Sequence, residues 1–225
     1  MCKEVFEIVK QMDLSKVETR LALQCAPVIL GIKISNLLIV SSMDEALVGR
    51  ILDGTQIDFY CLSQQDKKTI YLLFRSMEFE AYLSNPNVQG ILRRFGYQDL
   101  SFSAILQTFH NRYVTYVKNG KDFPHEMGLL LGYPTEDVEG FINNKGKNYL
   151  YAGYWKVYQN VEEKKLLFEA YENAKEGLVL LVANGYSIRP VIECFQDNGY
   201  EVIYTKEFEK ALVQKEQFRY IYQRE

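Results

Sequence analysis

Two adjacent residues, His125 and Glu126, carry the side chains best suited to proton transfer or metal ligation in this chain. Imidazole titrates near neutrality and ligates metals readily, and a neighbouring carboxylate can serve as acid or base. The local text, His125-Glu126-Met127-Gly128-Leu129, lacks the second histidine four residues on that a zinc-hydrolase helix requires. The chain's other histidine is His110, and a fold that brought it beside His125 would assemble a two-histidine metal site. A second group follows: Lys145, Lys147 and Lys156 with Gly146 and Asn148, interleaved with Tyr149, Tyr151, Tyr154, Trp155 and Tyr158. Ammonium groups among aromatic rings can hold a phosphate or carboxylate while a ring stacks on a planar ligand. Lys33 and Asn36, just after Gly31, add a single anion contact, but the order GxxxxGK[ST] of a phosphate loop is missing.

Each of these features also has an architectural reading. His125 could donate to a buried carbonyl while Glu126 satisfies the free amides of a helix start. The lysines and tyrosines could form a helix end and an aromatic strand packed on neighbouring helices. The four cysteines, Cys2, Cys25, Cys61 and Cys194, have no metal-ligand spacing, and no Gly-x-Ser-x-Gly elbow occurs.

The elements that position these residues follow from periodicity and caps. Ser15-Lys16-Val17-Glu18 and Ser42-Met43-Asp44-Glu45 read as capping boxes. The first opens a helix with Val17, Leu21 and Cys25 on one face, broken at Pro27 and Gly31; the second opens a helix that buries Leu47 and Ile51 and stops at Gly54. Residues 34–40 read as a buried strand. Residues 57–62 and 69–74 read as a hairpin with a polar loop over 63–68. Asn85-Pro86 caps a helix whose Val88, Ile91, Leu92 and Phe95 form a stripe ended by Gly96. Phe102, Ile105, Phe109, Tyr113, Tyr116 and Val117 predict a long helix ending near Gly120. Pro124 fits a first helical turn, and Gly132 with Pro134 forces a stop. Thr135 is expected to cap a second short helix that Asn143-Asn144-Lys145-Gly146 ends. Residues 161–183 predict another long helix, with Leu166, Leu167, Ala170, Tyr171, Ala174 and Leu178 inward. Further helix is expected over 187–195 and from Thr205, with a strand at Val202-Ile203-Tyr204.

The 225 residues have the composition of a globular chain, 48% hydrophobic and 24% charged, with 14% aromatic as the outlier. Together they predict one α+β body, divisible into a mixed part (1–98) and a mainly helical part (99–225). Net charge is −3, which argues against general attraction to nucleic acid or anionic lipid. The two short helices from His125 to Asn144 resemble a helix-turn-helix in outline, yet Glu136, Asp137 and Glu139 in the second would repel phosphates. No apolar stretch approaches the roughly 20 residues of a membrane span, and the opening residues carry no secretory pattern. A cytoplasmic location and reduced thiols are expected.

The central text is specific enough to suggest kinship. Pro124-His125-Glu126, Gly128, Leu131-Gly132-Tyr133-Pro134, Asp137-Val138, Phe141-Ile142, Lys145-Gly146-Lys147-Asn148-Tyr149 and Gly153-Tyr154-Trp155-Lys156-Val157-Tyr158 resemble the core of domain of unknown function 3793, a family of small bacterial proteins with a Pro-His-Glu signature. A weaker likeness covers Cys25-Ala26-Pro27, Gly31, Lys33 and Asn36-Leu37. The resemblance spans about residues 15–185, which makes the tail past Phe195 an extension. It implies a bacterial source but no reaction, cofactor or partner.

Three functional classes remain. The first is a small-molecule binder for an anionic or planar ligand (flavin, haem or nucleotide), using His125, Glu126, Lys145, Lys147, Asn148, Tyr154, Lys156, Lys33 and Asn36. The second is an enzyme using His125 and Glu126 as an acid–base or metal-binding pair. The third is an interaction module with a tyrosine-rich face, since tyrosine suits interfaces. Assembly into a homo-oligomer is left open.

Overall fold

A computed structural model describes residues 1–195, so the strand expected at 202–204 and the helix expected from Thr205 lie outside the described residues. The fold is α+β. Helices α1 (Lys3–Gln11) and α2 (Val17–Ile29) lead into strand β1 (Ser35–Ser41). A short 3-10 turn (Ser42–Asp44) and α3 (Glu45–Leu52) precede the hairpin β2 (Ile57–Gln65) and β3 (Lys68–Arg75). Then come α4 (Ser76–Leu83), α5 (Pro86–Arg94), α6 (Phe102–Asn119), α7 (Met127–Leu130) and α8 (Thr135–Asn143). A two-stranded ribbon, β4 (Tyr151–Ala152) and β5 (Lys156–Val157), leads to the long α9 (Val161–Ala183) and to α10 (Ile188–Cys194).

The three-stranded antiparallel sheet has order β1-β3-β2 and is covered on both faces. Successive side chains of a strand point to opposite faces, and β3 shows the consequence. Tyr71 and Leu73 join Leu38, Val40 and Ile57 in a core with α2 and α9, while Leu72 and Phe74 join a second core with α4, α5 and α6. Burial on both faces explains why β1 and β3 read as nearly continuous apolar runs.

Local chemistry shifted several expected boundaries. Ser15 does not cap α2, because its amide and hydroxyl are taken by Asp13 in an Asx turn. Pro27 does not break α2 either: the helix continues to Ile29, and the Pro27 carbonyl accepts from Ile32 and Lys33 as the chain turns out. In α3 Val48 is buried and Leu47 is exposed, since the 3-10 turn delays the helix start and rotates its apolar stripe. The hairpin loop is only two residues, Asp66-Lys67, both in the left-handed region that tight hairpins demand. In α9 Leu166 points to solvent, and Lys164 and Phe168 turn inward instead. Asn85 does cap α5, accepting from the Asn87 amide at 2.9 Å.

The turn after α7 is pinned against the start of β1. Ser35 donates its hydroxyl to the Leu130 carbonyl at 2.6 Å. Gly132 sits at φ +69, and a Cβ there would lie 2.5 Å from Ile34 Cγ1. Glycine is thus required twice, for conformation and for space. Gly132→Ala is expected to lower stability by about 2–4 kcal/mol, combining left-handed strain with overpacking. Gly90→Ala on α5, where a Cβ would meet nothing within 4 Å, should be neutral or up to about 1 kcal/mol stabilising; urea midpoints of both variants check this.

Candidate functional site

The short helices α7 and α8 and the β4–β5 ribbon enclose a cavity of about 300 Å³, at the small end of ligand pockets. Its walls are mainly rings. Phe123 and His125 stand 5.7 Å apart between centroids, His125 and Phe141 5.5 Å apart, and Tyr133 stacks on Trp155 at 4.6 Å. Met127, Leu131 and Val138 supply the apolar floor, and Tyr154 and Lys156 close the polar side. The approach of α7 to α8 needs Gly128, where a Cβ would come within 2.9 Å of Val138. His125 is exposed, and among the described residues neither of its ring nitrogens is hydrogen-bonded; its contacts are Phe123 and Phe141. Lys156 Nζ donates to the Gly146 carbonyl at 2.7 Å and lies over the Phe141 and Tyr149 rings. No carboxylate among the described residues pairs with it.

One buried carboxylate holds this wall in place. Asp137, in the first turn of α8 and 2% exposed, accepts from Trp155 Nε1 at 2.7 Å, from the Tyr158 amide at 2.7 Å and from the Gln159 amide at 3.4 Å. Hydrogen bonds to an ionised acceptor are about twice as strong as neutral ones, which offsets the desolvation of the charge. The indole is thereby oriented edge-on to Phe168 and face-on to Tyr133. Tyr154 is fixed from behind: its hydroxyl donates to Glu172 at 2.6 Å. Burial opposes ionisation of Glu172, but donors from Lys175, the Met1 amine and Tyr154 outweigh it and hold the carboxyl at about 2.

The structure separates the two halves of the Pro-His-Glu turn. His125 faces the cavity, whereas Glu126 is 0% exposed and turned the other way. Its carboxylate meets Arg112 of α6 at 2.6 Å and the Tyr97 hydroxyl at 3.2 Å, so it ties the turn to α6 and leaves the α7 amides uncapped by any side chain. Its second oxygen has no hydrogen-bond partner. His110 stands against Tyr60 and donates from Nδ1 to the Cys61 carbonyl at 3.1 Å, and it does not join His125 at the cavity. Among the described residues no group of three or more His, Cys, Asp or Glu side chains could hold a metal ion. Lys145 and Lys147 are exposed in the left-handed turn that ends α8, and Asn148 contacts Asn144; none lines the cavity. Lys33 and Asn36 are bonded to each other away from this cavity, and Lys33 lines a different cleft, on the other side of Tyr133. His125, Tyr154 and Lys156 are therefore the expected site residues that the fold brings together.

Residues 21–192 match the family described as "Protein of unknown function (DUF3793)". The chain belongs to that family. No curated protein and no solved structure matches it. Within this DUF3793 chain the cavity lies inside the matched span, and so does Asp137, the residue that sequence reasoning placed with the solvent-facing acids. Its neighbours do face outward: Glu136 reaches Lys164, and Glu139 pairs with Arg94. Phe123, Phe141 and Tyr133 were also missed as wall residues; the signal available was ring spacing around His125, which does not distinguish a wall from a core.

Replacing Asp137 tests the brace. Asp137→Ala leaves the indole N–H and two amides without their acceptor, each buried orphan costing about 1–3 kcal/mol. The variant should lose several degrees of melting temperature, and the emission of Trp155, the chain's single tryptophan, should move to longer wavelength as water reaches the ring.

Proposed function

We propose that this chain is a bacterial cytoplasmic small-molecule binder. Its ligand is a flat heteroaromatic group bearing an anionic substituent, of flavin mononucleotide or mononucleotide size. The observation that carries the reading is the cavity at His125: rings on several sides, an imidazole at the rim and an ammonium, Lys156, with no acidic partner among the described residues. Apolar walls with a few placed polar groups are the usual make-up of a ligand site. A planar ring would stack on Phe141 against the wall that Trp155 backs, accept or donate at the His125 nitrogens, and direct its charge toward Lys156. A volume of about 300 Å³ favours one ring system over a haem macrocycle. No helix among the described residues is long and apolar enough to cross a membrane.

An acid–base or metal role for the His125–Glu126 pair has less support, because Glu126 is engaged with Arg112 away from the cavity. Trp155 makes the binding reading testable with one fluorophore. Titration of the purified chain with flavin mononucleotide, adenosine monophosphate and haem is expected to give saturable quenching by one of the first two. His125→Ala and Phe141→Ala should weaken it at least fivefold, and the exposed His125→Ala variant should melt like the parent. Absence of quenching by all three, or affinity unchanged in both variants, would overturn the proposal.

A further inference from the structure

A second cleft, of about 430 Å³, opens between the Gly132-Tyr133-Pro134 turn and the first turns of α9, with Tyr133 as a wall shared with the His125 cavity. It contains two buried lysines. Lys33 and Lys164 line it and are each 4% exposed. Burying an ammonium is costly unless an opposite charge or a full set of acceptors meets it. Lys164 has such charges: Glu163 at 3.3 Å and Glu136 at 3.4 Å, both partly in solvent. Glu78, the other acid lining the cleft, is already taken by Arg75 at 2.9 Å.

Lys33 has no carboxylate at all among the described residues. Its Nζ donates to Asn36 Oδ1 and lies 5.5 Å from the centre of the Tyr133 ring, and Asn36 is itself anchored by the Gln24 carbonyl. The remaining neighbour in charge is the Cys25 thiol, which burial pushes up to about 12 and so keeps neutral. Burial pulls Lys33 down to about 8. Next to this cleft Arg75, 2% exposed, donates its amide to the Ile34 carbonyl and leaves Nη1 buried without a partner. A protein that needed Lys33 only as filler would do as well with methionine. A buried cation that lacks its counter-charge and lines an open cleft is what an anion site looks like before its anion arrives.

We propose that the Lys33–Lys164 cleft binds the oxyanion of a small metabolite, a carboxylate or phosphate group that supplies the counter-charge Lys33 lacks. The Tyr82 and Tyr171 edges of the cleft give the rest of such a molecule a half-apolar bed. This site lies in a different cleft from the ring-binding cavity, and the Lys33 and Lys164 variants tell an anion held here from one held at Lys156.

The experiment is thermal unfolding of the full chain in sodium phosphate, sodium acetate and sodium chloride at matched ionic strength, with calorimetric titration of whichever anion stabilises. The expected result is a rise of several degrees in phosphate or acetate over chloride, because an anion bound only to the folded state shifts its melting temperature. Stabilisation by acetate alone marks a carboxylate site, and by phosphate alone a phosphate site. Lys33→Met should abolish the rise while melting at or above the parent in chloride, since it removes a buried unmatched charge. Lys164→Met should weaken binding at least tenfold and gives an independent reading should Lys33→Met fold poorly. No stabilisation beyond chloride by either anion overturns the proposal, and so does an undiminished response in both variants.

Discussion

The carboxylate of Asp137 is the constraint on which the candidate site depends. It is buried in the first turn of α8, yet it looks not to its own helix but across to the ribbon that follows, where the Trp155 indole and the Tyr158 and Gln159 amides converge on it. An ionised group in that position is tolerable only with its donors in place. The ribbon has just two residues per strand, too few to hold its own geometry. The charge therefore fixes the ribbon, the ribbon fixes Trp155, and Trp155 with Tyr133 forms the wall opposite His125.

A second buried acid does complementary work on the other side. Glu126 draws Arg112 and Tyr97 toward the turn before α7 and so locks that turn onto α6. The adjacent His125 is then presented outward at the cavity rim. The two neighbours in the Pro-His-Glu turn thus divide the labour: the glutamate is a strut and the histidine is the exposed group it positions. Backbone geometry in a tight turn makes this division natural, since consecutive side chains leave in different directions.

Much of the fold was legible. Asn85-Pro86, Gly120 after a long apolar stripe and the apolar run at β1 each carry a local signal that tertiary structure left intact. The misplacements have specific causes. Leu47 and Leu166 satisfied a helical period, but the period was offset by a 3-10 turn in one case and by burial of the Lys164 stem in the other. Lysine can bury a long hydrocarbon stem, so a stripe of apolar letters underestimates what faces inward. The site was half legible. His125, Tyr154 and Lys156 stood out by type, but Asp137 looked like any acid at a helix start, because whether a first-turn carboxylate faces solvent or a neighbouring ribbon is decided by contacts 18 and more residues away in sequence. Lys145 and Lys147 gave a basic cluster in the text, yet the left-handed turn at Lys145 and Gly146 carries them to the outside.

If Asp137 holds Trp155 rigid in the wall of a ring-binding cavity, the indole itself reports it. The most direct observation is the single indole N–H resonance in a nitrogen–proton correlation spectrum, followed in deuterated buffer and through a flavin mononucleotide or adenosine monophosphate titration. A rigid indole in the wall of a ring-binding cavity gives a resonance slow to exchange with solvent that shifts saturably, at one ligand per chain, while staying protected. An indole proton that exchanges at once, or a position unmoved by millimolar concentrations of both ligands, would contradict it.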